Sequence, residues 1–277
     1  MPLRTLLAAA LLACAGPATA HDTWFEPAPG TGWRIALGTG NQFPVQEIGV
    51  GANYVVRQGC AGPNGALPLK ALSNTDTALV FAAPVDATSC WAQLEPFEVT
   101  LAPNLIDVYL REVNPTPANL AAWKDMAARG KPWVERYVKH ARMVRPGATA
   151  AQPSGMGLDA LLESTGPHVF RVLRDGQPLP DFAVELRHER ARVGVWMRTD
   201  AAGRVSFTPT LAGNWLLRGI DLRVSATRPD TWDSRFVTLA FSVDQNGIKA
   251  SPKARSTNQP ADTAAMSAEP PTNTAQR

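Results

Sequence analysis

Short alternating runs rich in β-branched and aromatic residues, each closed by a cluster of Gly, Pro, Asn or Asp, govern what this chain can fold into. Trp33-Arg34-Ile35-Ala36-Leu37, Asn53-Tyr54-Val55-Val56-Arg57, Ala78-Leu79-Val80-Phe81 and Phe97-Glu98-Val99-Thr100-Leu101 are such runs. Gly59-Cys60-Ala61-Gly62-Pro63-Asn64-Gly65 is one of the breaks between them. Strand side chains change face at every residue, so runs of this kind predict half-buried strands. A second block repeats the pattern. Val169-Phe170-Arg171-Val172-Leu173 meets the turn pair Asp175-Gly176, and Phe182-Ala183-Val184-Glu185-Leu186-Arg187-His188 alternates throughout. Gly213-Asn214-Trp215-Leu216-Leu217-Arg218 and the run 235–243 complete the block.

Between the two blocks the period changes. Thr116 and Pro117 open a helical spacing through Leu120, Trp123, Met126 and Ala127. Gly130-Lys131-Pro132 interrupts it, and Trp133, Tyr137, Ala141 and Val144 read as further helical turns. The stretch 145–157 is rich in Pro, Gly and Ala, a linker composition. The pattern therefore predicts an all-β chain of two Ig-like or transthyretin-like β-sandwich domains, 21–115 and 158–249, with a short helical insertion and linker over 116–157. The tail 250–277 has almost no large apolar residue and is expected to be disordered.

The first twenty residues set the compartment. Arg4, the apolar run 6–13 and the small residues Ala18-Thr19-Ala20 are the parts of a secretory signal peptide, predicting export to the periplasm and a mature start at His21. That run is far below the ~20 residues needed to span a bilayer, and no later stretch is long enough, so no transmembrane segment is expected in the mature chain. Leu11-Leu12-Ala13-Cys14 offers an alternative, a lipoprotein box leaving a lipidated Cys14. Lys and Arg number 27 against 24 Asp and Glu, scattered without a stripe, which excludes a nucleic-acid footprint. The mature chain keeps Cys60 and Cys90, a pair that reads as one disulfide in an oxidising compartment. Closing a loop of about 30 residues, it would contribute about 3–4 kcal/mol.

The mature start carries the chemistry. An N-terminal His offers an α-amine and an imidazole nitrogen on one residue, and the pair can chelate Cu(II), Ni(II) or Zn(II). With a reference pKa of about 7.7–8, the amine yields its proton to a metal near neutrality. His188, which ends an alternating run beside Glu189, and His168, which opens one after Gly166-Pro167, are the candidate further ligands; His140 reads as a packing or solvated residue. Trp24 and Phe25 are expected to anchor the terminus in the core, and Asp22 to be a surface carboxylate or an acceptor orienting His21. The chain contains no H-E-x-x-H, no G-x-S-x-G elbow and no phosphate-binding glycine loop, so nothing in it argues for an enzyme.

Ala20-His21-Asp22-Thr23-Trp24-Phe25-Glu26-Pro27 resembles the start of the bacterial periplasmic family known as domain of unknown function 4198. Glu135-Arg136-Tyr137-Val138-Lys139-His140-Ala141-Arg142, Asp175-Gly176-Gln177-Pro178-Leu179, Thr199-Asp200-Ala201-Ala202-Gly203-Arg204 and Gly213-Asn214-Trp215-Leu216-Leu217-Arg218 continue the resemblance in order. Some relatives in that family are associated with nickel or cobalt uptake, which implies metal capture through His21. The chain departs from the family's pattern in having Asp221 and Arg223, not a His, after the Trp215 strand. Asp221 is therefore a further candidate, as an oxygen ligand. The expected function is a periplasmic protein that captures Ni, Co or Cu and delivers the ion to an inner-membrane transporter. The alternatives are a metal-free envelope binding module and a histidine-brace copper oxidase.

Overall fold

In the computed structural model the chain is described over residues 21–245. The expected leader, the Cys14 alternative and the tail 250–277 lie outside the described residues. The first half carries β1 (Asp22–Pro27), β2 (Trp33–Gly40), β3 (Ile48–Gly49), β4 (Val55–Gly62), β5 (Gly65–Leu67), β6 (Lys70–Asn74), β7 (Leu79–Ala83), β8 (Ser89–Leu94) and β9 (Phe97–Leu101). Helices α1 (Pro103–Val113) and α2 (Pro117–Ala128) follow, then β10 (Trp133–Val144). The remainder is β11 (Leu158–Thr165), β12 (His168–Arg174), β13 (Gln177–Pro178), β14 (Ala183–His188), β15 (Val195–Arg198), β16 (Arg204–Phe207), β17 (Gly213–Val224) and β18 (Trp232–Val243). The fold is an all-β sandwich architecture with a short helical insertion, as the patterning predicts.

The two sandwiches share a sheet. A central sheet of nine strands runs β15-β14-β17-β18-β10-β8-β4-β5, with β9 also on β10, so it draws on both blocks of the sequence. Its join is the parallel pairing of β10 with β18, His140 opposite Val237. One face is covered by the sheet β1-β2-β7-β6, over a core that includes Trp24, Phe25, Leu37, Phe81, Met143 and Leu216. The opposite face is covered by β11, β12, β13 and β16, over Leu162, Phe170, Val184, Trp215, Leu239 and Phe241. Helices α1 and α2 cover the rest of the first face, where Tyr109 and Met126 pack with Trp133, Ile220 and Trp232. We refer to the first face as the β1 face and the second as the β12 face. Phe25 meets Phe81 edge-on at 5.9 Å and Trp24 meets Phe43 at 6.0 Å. Burying each such ring contributes about 2–3 kcal/mol, which holds β1 against the sheet. Gly40 permits this: a Cβ there would sit 2.2 Å from the Val45 carbonyl and 2.9 Å from the Trp24 ring.

The insertion is shorter than expected and begins earlier. Pro103 and Pro117 start α1 and α2, and Thr116 Oγ1 caps α2 by accepting Asn119 N–H at 3.3 Å. After Gly130 the expected helix is replaced by β10. Its alternation is hidden because both faces are buried and both carry polar residues. Glu135 and Lys139 lie on the β1 face, His140 and Arg142 on the β12 face, so no apolar stripe marks either side. Cys60 and Cys90 stand opposite each other on β4 and β8 and form a disulfide, as expected.

Candidate functional site

His21 immediately precedes β1, and α1 reaches the neighbouring seam through Glu112, whose carbonyl accepts from Arg218 Nη1 at 3.4 Å. The His21 carbonyl accepts a bond from Lys139 Nζ at 2.8 Å, and its Nε2 stands 3.8 Å from Glu47 Oε2. Glu47 is steadied in turn by Asn41 Nδ2 at 3.0 Å. The next residue, Asp22, is buried, contrary to the surface position expected for it. Its Oδ2 lies 2.7 Å from Arg218 Nε and 3.9 Å from Arg187 Nη1. The 2.7 Å approach is an ionic contact without hydrogen-bond alignment, and Arg218 Nε has no other partner. Glu185, opposite Arg218 in the β14–β17 register, accepts from Arg218 Nη1 at 2.9 Å and from Arg187 Nη2 at 2.8 Å. Gly194 lets the β14–β15 turn close over this carboxylate, since a Cβ there would lie 2.5 Å from Glu185 Oε1.

The seam is thus a buried ionic group of two carboxylates and two guanidiniums, with Lys139 beside it. Burial opposes charge on Arg218, but Asp22 and Glu185 outweigh it and push the guanidinium above its usual value. Burial likewise favours neutral Glu185, yet the bonds from Arg187 and the charge of Arg218 hold its carboxyl below the ordinary range. Burial pulls the Lys139 ammonium down to about 8, against the opposing pull of Asp22. Thr238 Oγ1 donates to Thr23 O at 2.7 Å, and the Thr23 and Thr39 hydroxyls bond at 2.8 Å. Every residue from His21 to Phe25 is therefore held by an ion pair, a hydrogen bond or a buried ring.

The other candidate ligands stand on the far side of the central sheet. On β14, Glu185 and Arg187 face β1, so His188 faces the opposite way, edge-on to Trp215 at 4.8 Å. Both its nitrogens are occupied: Nδ1 accepts Arg190 N–H at 3.2 Å, leaving Nε2–H to donate to Ala212 O at 3.1 Å. On β17, Arg218 faces β1 and Asp221 faces away, in ion pairs with Arg174 and Arg223. His168 packs on the β12 face against Phe170 and Phe241, its pKa lowered by burial. His140 donates through Nδ1 to Phe236 O at 2.9 Å, and burial holds its pKa near 4. The expected convergence of His188, His168 and Asp221 on His21 is therefore not what the fold provides, and a histidine brace lacks its second imidazole there. Among the described residues no three His, Cys, Asp or Glu side chains gather as a metal-holding group. No helix among them is long and apolar enough to cross a membrane.

Sequence reasoning passed over Glu47, Lys139, Glu185, Arg187 and Arg218. A signal existed for the last: Arg218 closes the apolar run Trp215-Leu216-Leu217 in the buried phase of Leu216. A charge in an inward phase announces a buried partner.

A titrating carboxylate lies farther along β1. Burial pushes Glu26 up to about 7; the bond from Trp24 Nε1, 2.8 Å, opposes this and the charge of Glu189 adds to it. A raised carboxyl binds its proton more tightly in the folded state, so its stabilisation is complete below about 4.5 and is lost as pH rises through about 7. At about 1.4 kcal/mol per pH unit the span is about 3 kcal/mol at most. Urea midpoints of wild type are expected to fall across this interval more than those of Glu26→Gln; parallel profiles would refute the assignment.

Comparison with known protein families, with curated proteins and with solved structures returns no match.

Proposed function

We propose that this is an exported, periplasmic metal-binding protein that takes up a divalent transition ion, Ni(II), Co(II) or Cu(II), at a mature N-terminus beginning with His21. It then delivers the ion to an inner-membrane transporter. The observation that carries the reading is the fixation of His21. Lys139 holds its carbonyl, the Asp22–Arg218 contact anchors the next residue, and Glu47 lies on the Nε2 side of its ring. A terminal His chelates through its α-amine and Nδ1, so Glu47 on Nε2 would complete a carboxylate–histidine–metal arrangement, which orients the ring and raises its basicity. The resemblance of the first mature residues to a family with members associated with nickel or cobalt uptake supports the same reading.

Few protein ligands suit a cargo ion, because positions left to water allow exchange with a receiving protein. The α-amine exists only after cleavage before His21, so the site would be completed by export itself. Calorimetric titration of protein beginning at His21 with Ni(II), Co(II) and Cu(II) is expected to show one stoichiometric site. One extra glycine before His21 should weaken it at least a hundredfold, and Glu47→Gln by about tenfold to a hundredfold. Equal affinity in the glycine-extended protein would remove the reading.

A further inference from the structure

The ladder between β14 and β17 stops at Arg218. Beyond it the edge of β17 faces the elbow between α1 and α2 and the run 179–183 that leads into β14, and the three leave a cleft of about 250 Å³. Carbonyls of its walls are already used. Asn119 Nδ2 donates to Leu222 O at 2.8 Å, and Arg198 Nη1 donates to Asp181 O at 2.8 Å. Arg198 Nη2 reaches Asn114 O at 3.5 Å, so this side chain ties two walls together. Thr199 takes two more, its N–H bonding Phe182 O at 3.0 Å and its Oγ1–H bonding Leu179 O at 2.6 Å. Donors are left over. A strand residue points its N–H the same way as its carbonyl, so Leu222 N–H also enters the cleft, past the end of its ladder with β14. Thr116 Oγ1 accepts Asn119 N–H, which leaves its own hydroxyl proton to donate. Arg223, also in the lining, commits only Nε, to Asp221 at 3.1 Å. Charge is unbalanced in the same sense. Arg174 and Arg223 share Asp221, Arg174 and Arg235 share Asp175, and Arg198 meets Asp181, so four guanidiniums stand against three carboxylates. Burial lowers Arg174 below its usual value; Asp221 opposes this, while repulsion from Arg223 and Arg235 adds to it.

We propose that this cleft binds a small organic monocarboxylate with a short apolar body. The carboxylate would accept from Arg198, Leu222 N–H and Thr116 O–H, supplying the acceptor that these donors lack. Its single negative charge matches the excess of one guanidinium. The apolar body would lie against Pro115, Leu179 and Phe182, of which the last two are buried. The cleft is smaller than the roughly 300–1,000 Å³ of pockets for drug-sized molecules, which limits the ligand to a few carbons beyond its head group. Asp181 is the internal competitor. Its carboxylate is 73% exposed and touches Arg198 only at 3.4 Å, so an incoming carboxylate can take its place. The cleft shares no residue with the His21 seam, and the proposal is independent of metal binding.

The test is an amide-resolved NMR titration of the protein beginning at His21. The probe is 3-methylbutanoate, with uncharged 3-methylbutanamide and inorganic phosphate as controls. The acid should shift amide signals within 114–119, 179–183 and 220–223, with a dissociation constant below about 1 mM. The amide lacks the charge and phosphate lacks the apolar body, so each should bind at least tenfold more weakly. Arg198→Gln changes an exposed side chain and should weaken the acid at least tenfold. Asp181→Asn should act in the opposite direction and tighten it severalfold. It removes the competing carboxylate, and asparagine tolerates the left-handed backbone at φ 53°. Any one of four results overturns the proposal: a dissociation constant above about 1 mM, either control binding as tightly as the acid, shifts confined elsewhere, or unchanged affinity in Arg198→Gln or Asp181→Asn.

Discussion

Replacing Arg218 by methionine is expected to destabilise the folded protein by about 3–5 kcal/mol. Methionine keeps much of the packing volume, so the loss is electrostatic. Arg218 is 2% exposed and neutralises two carboxylates that are themselves buried, Asp22 and Glu185. Without it the two negative charges share Arg187, whose side chain is 24% exposed and lies 3.9 Å from Asp22. A carboxylate out of water with no cation beside it is the costly half of a broken buried pair. Arg187→Met should lose less, about 1 kcal/mol, since water already screens that side chain. Glu185 supplies a sign to check. Its carboxyl is held below the usual 4.5, so its share of stability is present above that pH and is lost as pH falls through the lowered value. The gap between wild type and Arg218→Met should therefore narrow in acid. Urea unfolding of protein beginning at His21, with slopes compared as well as midpoints, measures all three. A loss below about 1 kcal/mol for Arg218→Met would mean the seam is hydrated and the ionic account of β1 docking is wrong.

Strands such as β7, β9 and β12 were legible because each shows one apolar phase and ends in a turn cluster, whereas β4 runs on through Gly59–Gly62, which the sequence marked as a break, and β10 reads as helical. What joins the strands was not legible. The β10–β18 pairing sets His140 beside Val237, and nothing local to either segment specifies that partner. The same long-range step decides the site. His21 stood out by position, but its neighbours Lys139 and Glu47 come from distant segments that meet only after the sheets pack. Part of the error in choosing ligands was nonetheless visible. Arg187 and His188 are adjacent on one strand and must face opposite ways, as must Arg218 and Asp221 given three residues of separation. Once Asp22 is known to pair with Arg218, His188 and Asp221 are excluded from its surroundings by parity alone. β10 misled for a related reason: buried on both faces with charges on each, it shows no clean alternation, while Trp133, Tyr137, Ala141 and Val144 fall at helical spacing.

The β12 face is tied by a second buried arginine, and Arg142→Met is expected to destabilise by about 3–5 kcal/mol as well. Arg142 is fully buried and grips Asp159 with two bonds, Nε at 2.9 Å and Nη2 at 2.8 Å, while Nη1 donates to Ser89 Oγ at 2.9 Å. Asp159 Oδ2 also accepts Ser154 N–H at 2.9 Å and Ser154 Oγ–H at 2.7 Å. One guanidinium therefore links β8 of the first block, β10 at the join, β11 of the covering sheet and the 145–157 connection. If the interaction is as tight as this geometry implies, Arg142→Met and Asp159→Asn should each be costly alone but far from additive together. Once the arginine is gone the aspartate has no cation left to lose. A double-mutant cycle should then give a coupling of at least about 2 kcal/mol. Near-additive losses would show that each side chain is satisfied independently, Asp159 by Ser154 and Arg142 by Ser89. In that case the covering sheet would be held by its apolar core, Leu162, Phe170 and Val172 against Leu239 and Phe241, and not by the ion pair.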